Sequence, residues 1–388
     1  MSERSNSDKQ QLMHARRHGS YLAQVGRGFL PRRLMVVLLF PLIAACAISN
    51  PHYNADKRHH MPAGFRNNYT HDEPSHDKPS GLDFLRWQWQ RWRASLPKPP
   101  ASAILPVSPA LDFIRRNRQE PAATWVGHAT ILLQMGGLNV LTDPHFSERA
   151  TPLPFIGIGA KRHQPPGIAL ADLPHIDMVL ISHNHYDHLD LPSVRALYRQ
   201  AGGPPMFFVP LGVDLWFAAH VTDGETGQLR PMDWWDEISY RGVEIRFLPI
   251  QHWSSRTLWD HNSTLWGAWA LRHPSFSFFF AGDLGYSEDV QDIGRAVRGF
   301  DFAAIPIGGY EPRWFFHPQH INPQEAVRVH QEIGARQSLG IHWGTFEGLT
   351  DEPLDQPPRD LAAAREAAGL SPEEFFVLRP GETYRPKR

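Results

Sequence analysis

The chain has 388 residues, with 39 Lys+Arg against 40 Asp+Glu and a formal charge of −1. Apolar residues make up 41% and charged residues 20%, which excludes a disordered chain, and the even charge excludes nucleic-acid binding by bulk electrostatics. A single cysteine excludes a disulfide framework and any Cys-based metal cluster, so the 22 histidines and the carboxylates are left to form a metal shell.

The first element is an uncharged apolar run at 34–48, LMVVLLFPLIAACAI, behind Arg27, Arg32 and Arg33. It is shorter than the roughly 20 residues of a spanning helix and has the layout of a secretory signal. Its end, Ile43-Ala44-Ala45-Cys46, resembles the bacterial lipobox. Residues 1–46 are therefore expected to be a lipoprotein signal. Cys46 would anchor the mature protein to a membrane facing the periplasm, the outer membrane being favoured because Ala47 follows the cysteine. A cytoplasmic location is the alternative.

Residues 47–120 read as an N-terminal extension, polar, His- and Pro-rich and without a core of its own. One regular piece stands in it. Leu82, Leu85, Trp89, Trp92 and Leu96 recur at spacings of three and four, an apolar helical stripe with Arg86, Arg91 and Arg93 off it. Packing of this stripe on the main domain is favoured over a membrane-surface helix.

Residues 121–388 form the expected catalytic domain. Strands are predicted at 131–135, 140–142, 178–182, 207–209, 244–249, 266–271, 276–281, 303–306 and 339–342, all rich in Val, Ile, Phe or Trp. Helices are predicted after Pro192, Pro323 and Pro358. This alternation implies a layered α/β domain.

Residues 182–190, SHNHYDHLD, bring His183, His185, Asp187 and His188 into one loop after the apolar MVLI. His183 and His185, two apart, project one way; Asp187 and His188 turn to another, so one loop can feed two neighbouring metal ions. Further ligands stand at the ends of other apolar runs: His252 in PIQHW, Asp283 in FSFFFAGD and His342 in LGIHWGT. Singly each reads as an ordinary hydrogen-bonded side chain. Together they point to a dinuclear site.

This order of ligands resembles the metallo-β-lactamase superfamily over residues 124–380, which implies an αββα sandwich. VGHATILLQMGGLNVLTDPHFSERA, HIDMVLISHNHYDHLD, LWGAWAL, FFFAGDLGY, FAAIPIGGYEPRWFF, QHINPQEAVRVH and GIHWGTF narrow the resemblance to the N-acylphosphatidylethanolamine-hydrolysing phospholipase D family. By that resemblance His183, His185 and His252 hold one zinc and Asp187, His188 and His342 the other, with Asp283 bridging the two Zn2+. Asp283, Asp187 and His188 are then the catalytic set. Asp143, in LTDPHF, is expected to orient a ligand histidine from behind, and His128 in VGHAT matches the family without a mechanistic role.

Two Zn2+, two aspartates and a bridging hydroxide leave a net charge of +1, which suits a phosphodiester carrying −1. The implied reaction is attack of that hydroxide on phosphorus, giving N-acylethanolamine and phosphatidate. His320 matches a residue of the family that contacts the substrate amide. Tyr310, Arg313 and Trp314 combine a cation with aromatics, as a phosphate head group beside acyl chains requires. The loop 151–166 lacks the Gln-Tyr pair of the animal enzymes but keeps Lys161 and Arg162; its Phe155, Ile156 and Ile158 either enter lipid or pack. The expected partners are a membrane phospholipid substrate and the membrane surface, with a homodimer suggested by the animal relatives. Hydrolysis of a lactone or a small phosphodiester is the first alternative, and a non-catalytic metal-binding lipoprotein the second.

Overall fold

The computed structural model of the chain describes residues 49–69, 80–94, 96, 104–152 and 158–386. The apolar run 34–48 with Cys46, and Phe155 and Ile156, lie outside them. Among the described residues no helix is long and apolar enough to cross a membrane.

Two seven-stranded sheets carry the architecture. The first is ordered Leu229–Met232, Met206–Pro210, Met178–Leu180, Leu138–Thr142, Thr130–Met135, Ala122–Gly127 and Thr383–Tyr384. The second runs Glu237–Tyr240, Val243–Leu248, Ala268–His273, Phe276–Phe280, Phe302–Pro306, Ser338–Ile341 and Phe375–Phe376. Each sheet is part antiparallel and part parallel. The parallel half joins Leu138–Thr142 to Met178–Leu180 and Met206–Pro210 in the first, and Phe276–Phe280 to Phe302–Pro306 and Ser338–Ile341 in the second.

The sheets face each other across one core that contains Trp125, Leu133, Val140 and Phe208 from the first and Phe247, Trp269, Phe278 and Phe280 from the second. Helices close the outer faces. Val194 and Leu197 of Leu191–Tyr198, with Phe217 of Val213–His220, cluster with Val179, Phe207 and Val209 of the first sheet. Helices Asp289–Ala296 and Pro323–Glu332 contribute Val290, Ile293, Val327 and Val329 to the core on the side of the second. The result is the expected αββα sandwich. Because helices cover the parallel halves, strands such as FSFFF are apolar on both faces and fully buried.

All nine predicted strands are present, with ends shifted by one or two residues. Ala122–Gly127, Leu229–Met232 and Glu237–Tyr240 were not legible as strands. AATWVG holds Thr, Trp and Val, which favour strands, but its two alanines and its glycine dilute the signal, and tertiary burial decides its state. Helices Val213–His220 and Asp289–Ala296 have no side-chain N-cap, so they lack the usual start signal.

The extension divides into two parts. Residues 49–69 are an arm bound tightly to the domain: Phe65 enters the main core, a burial of about 1.5–3 kcal/mol. The helix Gly81–Arg93 starts with a Ser80–Asp83 capping box and corrects the packing expectation. Its stripe faces outward, with Leu82 78%, Leu85 63%, Trp89 54% and Trp92 83% exposed. Trp87, off the stripe, makes the contact instead, stacking on Phe315 at 4.9 Å and clustering with Phe316. The indole of Trp87 also donates to Asp351, and Arg91 pairs with the same carboxylate at 3.1 Å. A polar tether therefore outweighs the longer apolar stripe in fixing which face turns inward.

Candidate metal centre

The site lies where strands of both sheets end on the same edge. Leu138–Thr142 runs into Asp143, Met178–Leu180 into the 182–190 loop, Val243–Leu248 into His252, Phe276–Phe280 into Asp283 and Ser338–Ile341 into His342. Carboxyl ends of strands in α/β sheets are the usual place for such sites. Local backbone strain concentrates here: His128, Asp143 and His342 have φ of 54°, 30° and 60°, conformations kept only when the surroundings enforce them. Gly282, at φ 62°, precedes Asp283; a Cβ there would lie 2.7 Å from the Ser182 Cβ, so only glycine lets the two strand ends approach.

Two groups of ring nitrogens converge. In the first, His183 Nε2 and His252 Nε2 lie 2.8 and 3.3 Å from His185 Nδ1. In the second, His188 Nε2 and His342 Nε2 lie 3.4 and 3.5 Å from Asp187 Oδ2. Asp283 Oδ2 stands between them, 2.9 Å from His188 Nε2, 3.1 Å from His342 Nε2 and 4.0 Å from His183 Nε2. The seven residues singled out in the sequence thus come together, His183, His185 and His252 on one side of Asp283 and Asp187, His188 and His342 on the other, with His128 beside the second group and His320 beside Asp283.

The second nitrogen is pinned from behind in four of the five rings, His185 Nε2 being buried without such a partner. His183 Nδ1 donates to Ser182 Oγ at 2.9 Å, His188 Nδ1 to Asp143 Oδ2 at 2.7 Å, His252 Nδ1 to Gln319 O at 3.0 Å and His342 Nδ1 to Gly308 O at 3.3 Å. These bonds fix the tautomers so that the remaining nitrogen presents its lone pair inward, as metal-ligating histidines require. Asp143 also accepts from the Ser182 amide at 2.7 Å, which gives it the orienting position expected of it. His128 Nε2 donates to Asp187 Oδ2 at 2.9 Å, and its carbonyl accepts from the His342 amide at 3.1 Å.

A metal ion fits this donor set. Nε2 of His188 and His342 and Oδ1 of Asp283 are buried yet have no hydrogen-bond partner, although carboxylate oxygen lies as near as 2.9 Å. Buried polar atoms left unpaired in this way are costly unless something else satisfies them. Burial depresses His183 well below the usual imidazole value, and His185 and His252 to about 3, so all three are neutral ligands. Burial also lowers His188 and His342, but the neighbouring carboxylates, Asp283 first, together outweigh it, raising His188 well above the usual value and His342 to about 9. Burial raises Asp187 and Asp283, and the surrounding imidazoles, His188 first, together more than reverse this, so both carboxyls lie well below the ordinary range.

The four substrate residues expected from the sequence separate. His320 is in the site, its Nδ1 3.9 Å from Asp283 Oδ2, and burial holds it neutral with a pKa of about 3. Arg313 is committed elsewhere: Nη2 binds Glu325 at 2.9 and 3.0 Å and Nη1 donates to His320 O at 2.9 Å. It braces the His320 loop and is not a free cation for a head group. Tyr310 is buried and donates to Asp360 at 2.6 Å, so its hydroxyl is engaged by that carboxylate. Trp314 is 42% exposed under Arg86, 4.6 Å from its ring. Sequence reasoning missed Gln319 and Gly308, whose carbonyls orient ligand rings; backbone acceptors leave no residue-type signal.

The beta-lactamase superfamily domain model matches residues 138–343. The chain is 39% identical over 272 residues to N-acyl-phosphatidylethanolamine-hydrolyzing phospholipase D 1 of Caenorhabditis elegans, covering 68% of this chain and 75% of that protein. It is 38% identical over 287 residues to the uncharacterized protein Rv0906 of Mycobacterium tuberculosis, covering 72% of each. Its fold is similar to that of the metallo hydrolase Igni18 of Ignicoccus hospitalis, with a TM-score of 0.51 and 20% identity over 70% of this chain and all of that one. The chain is therefore a metal-dependent hydrolase of the metallo-β-lactamase superfamily and belongs, within it, to the family of the Caenorhabditis elegans phospholipase D.

Proposed function

We propose that the chain is a zinc-dependent phosphodiesterase that hydrolyses N-acylphosphatidylethanolamine to N-acylethanolamine and phosphatidate. The observation that carries this reading is the seat of Asp283 Oδ2 between two separate imidazole groups, the arrangement a two-metal site needs. The relative at 39% identity supplies the substrate class. His183, His185 and His252 would hold one zinc, and Asp187, His188 and His342 the other, with Asp283 shared. Bound there, two zinc ions supply Lewis acidity, activating water at neutral pH and neutralising charge on a phosphoryl group.

The residues of the chain orient and exclude. The pinned rings fix the donor geometry before substrate arrives, which avoids reorganisation during reaction. His320, neutral and beside Asp283, has a nitrogen free of hydrogen bonds for a polar group next to the phosphate. The Gly81–Arg93 helix, whose stripe is exposed, packs through Trp87 on Phe315 and Phe316, in the segment that leads to His320. That neighbourhood supports a membrane-facing entrance, where the stripe would lie on lipid. A lipid at Cys46 would keep the enzyme on the same surface; an unmodified Cys46 in protein extracted from membranes would remove that part.

The test is mass spectrometry of products from metal-loaded protein and N-acylphosphatidylethanolamine in 18O water. Equal amounts of N-acylethanolamine and 18O-labelled phosphatidate are expected, and none from Asp283→Ala. Turnover of a lactone or a small phosphodiester without the lipid products would overturn the substrate assignment.

A further inference from the structure

The arm at 49–69 precedes the matched superfamily domain at 138–343, yet one of its side chains reaches the metal centre. Asn67 is 6% exposed. Its Nδ2 donates to His252 O at 3.0 Å, and its Oδ1 accepts from His252 N at 3.1 Å and from Trp266 Nε1 at 3.2 Å. The strand leading to His252 ends at Leu248, so the main chain of His252 has no ladder partner. The primary amide of Asn67 replaces one, donating and accepting as a neighbouring strand would.

The arm is held on both sides of this contact. Upstream, His59 Nε2 and His60 Nε2 lie 2.7 and 2.8 Å from the two oxygens of Asp233, and Phe65 N donates to Asn262 O at 2.8 Å. Downstream, Asn68 Nδ2 donates to Asp289 Oδ1 at 2.9 Å. Asn67 is thus seated over His252 by rigid attachments, while Gln319 O fixes the ring of the same histidine from another direction.

We propose that Asn67 is a positioning residue for the metal subsite of His183, His185 and His252, acting through the backbone of His252. This rests on the reading that these histidines ligate metal. Outer contacts of this kind typically change metal affinity by about 10–100-fold. The effect should fall on one subsite of the two, because the hydrogen bonds of Asn67 go to His252 and Trp266 and not to Asp187, His188 or His342.

The experiment compares wild type with Asn67→Ala, Asn67→Asp and the control Asn68→Ala. Asn67→Asp is isosteric and keeps the acceptor, so it tests the contact even if the alanine variant folds poorly. Asn68→Ala loosens the arm at Asp289 without touching His252. Metal content is measured against graded chelator, with Co2+ absorption as the reporter of coordination and thermal unfolding alongside. Both Asn67 variants should lose one of two ions at about 10–100-fold lower chelator strength and change the Co2+ spectrum, while Asn68→Ala keeps both ions whatever its melting temperature. Two ions held as tightly by both Asn67 variants as by wild type would overturn this proposal and leave the metal-centre reading intact. Equal metal loss in Asn68→Ala would also overturn it, since general loosening of the arm would then be the cause. A wild type that binds no metal would overturn the metal-centre reading and this proposal together.

Discussion

His59, His60 and Asp233 form one His/Asp cluster of this chain, and the residues around Asp283 form another; both fall within the spacing of metal ligands. Residue type does not separate them. In the arm cluster His59 Nε2 lies 2.7 Å from Asp233 Oδ1 and His60 Nε2 2.8 Å from Oδ2, while Lys57 Nζ reaches Oδ2 at 2.5 Å. A cation is already in place on the carboxylate, and the ring nitrogens point at an acceptor. Around Asp283, Nε2 of His188 and His342 is buried with no hydrogen bond at all. The first cluster is a clamp, whereas the second keeps donors able to hold a metal ion, and unsatisfied inward-facing atoms tell them apart.

The largest effect that tests this contrast is at Asp283. Asp283→Ala should strip metal and lower turnover by about 10^3-fold or more while the fold survives, checked by metal analysis and circular dichroism. Asp233→Ala should do the reverse. It removes the partner that Lys57, His59 and His60 share, leaving Lys57 only Asp236 at 4.0 Å, and should cost about 2–3 kcal/mol in denaturant unfolding, less than a fully buried pair because Lys57 is 37% exposed. Its metal content should equal that of wild type.

The pH dependence separates two buried carboxyls by sign. Burial raises Asp233, but hydrogen bonds from His59 and Lys57 outweigh it and hold this group well below the ordinary range. Its contribution is therefore present above about pH 4 and lost as pH falls further. Burial raises Asp289 to about 6 despite its bonds to Asn68 and Ser287. The contribution of Asp289 is full below about pH 4 and lost as pH rises through 6, so Asp289→Asn should remove a decline in stability over that window and Asp233→Asn should not. The smallest change in stability is expected on the exposed stripe. Trp89→Ser with Trp92→Ser should move unfolding by less than about 0.5 kcal/mol, yet weaken sedimentation with phospholipid vesicles; unchanged binding would remove the membrane role of this helix.

How much was legible follows from where the information sits. HNHYDH, and the His or Asp ending an apolar strand, pointed to the seven residues that the structure brings together, because donor side chains must be present in the sequence and strand ends are recognisable. Nine strands and the covering helices Leu191–Tyr198 and Pro323–Glu332 were legible from apolar runs and proline starts, but Val213–His220 and Asp289–Ala296, which lack a side-chain N-cap, and the strand Ala122–Gly127 were not. The contacts around the site were not. Arg313 looked like an anion binder until Glu325, twelve residues on, was seen to occupy it. Asn67 carries no motif, and its importance arises only from the fold that lays the arm against His252. The Gly81–Arg93 stripe had the right period but the wrong partner, since Trp87 and its tether to Asp351 decide the orientation.

The most direct measurement is the metal content of wild type, Asp283→Ala and Asp233→Ala, purified identically and read by inductively coupled plasma mass spectrometry. Two ions per chain in wild type and Asp233→Ala, with both lost or greatly weakened in Asp283→Ala, is the expected result. A wild type with no bound metal, or loss of an ion on changing Asp233 and none on changing Asp283, would contradict the account.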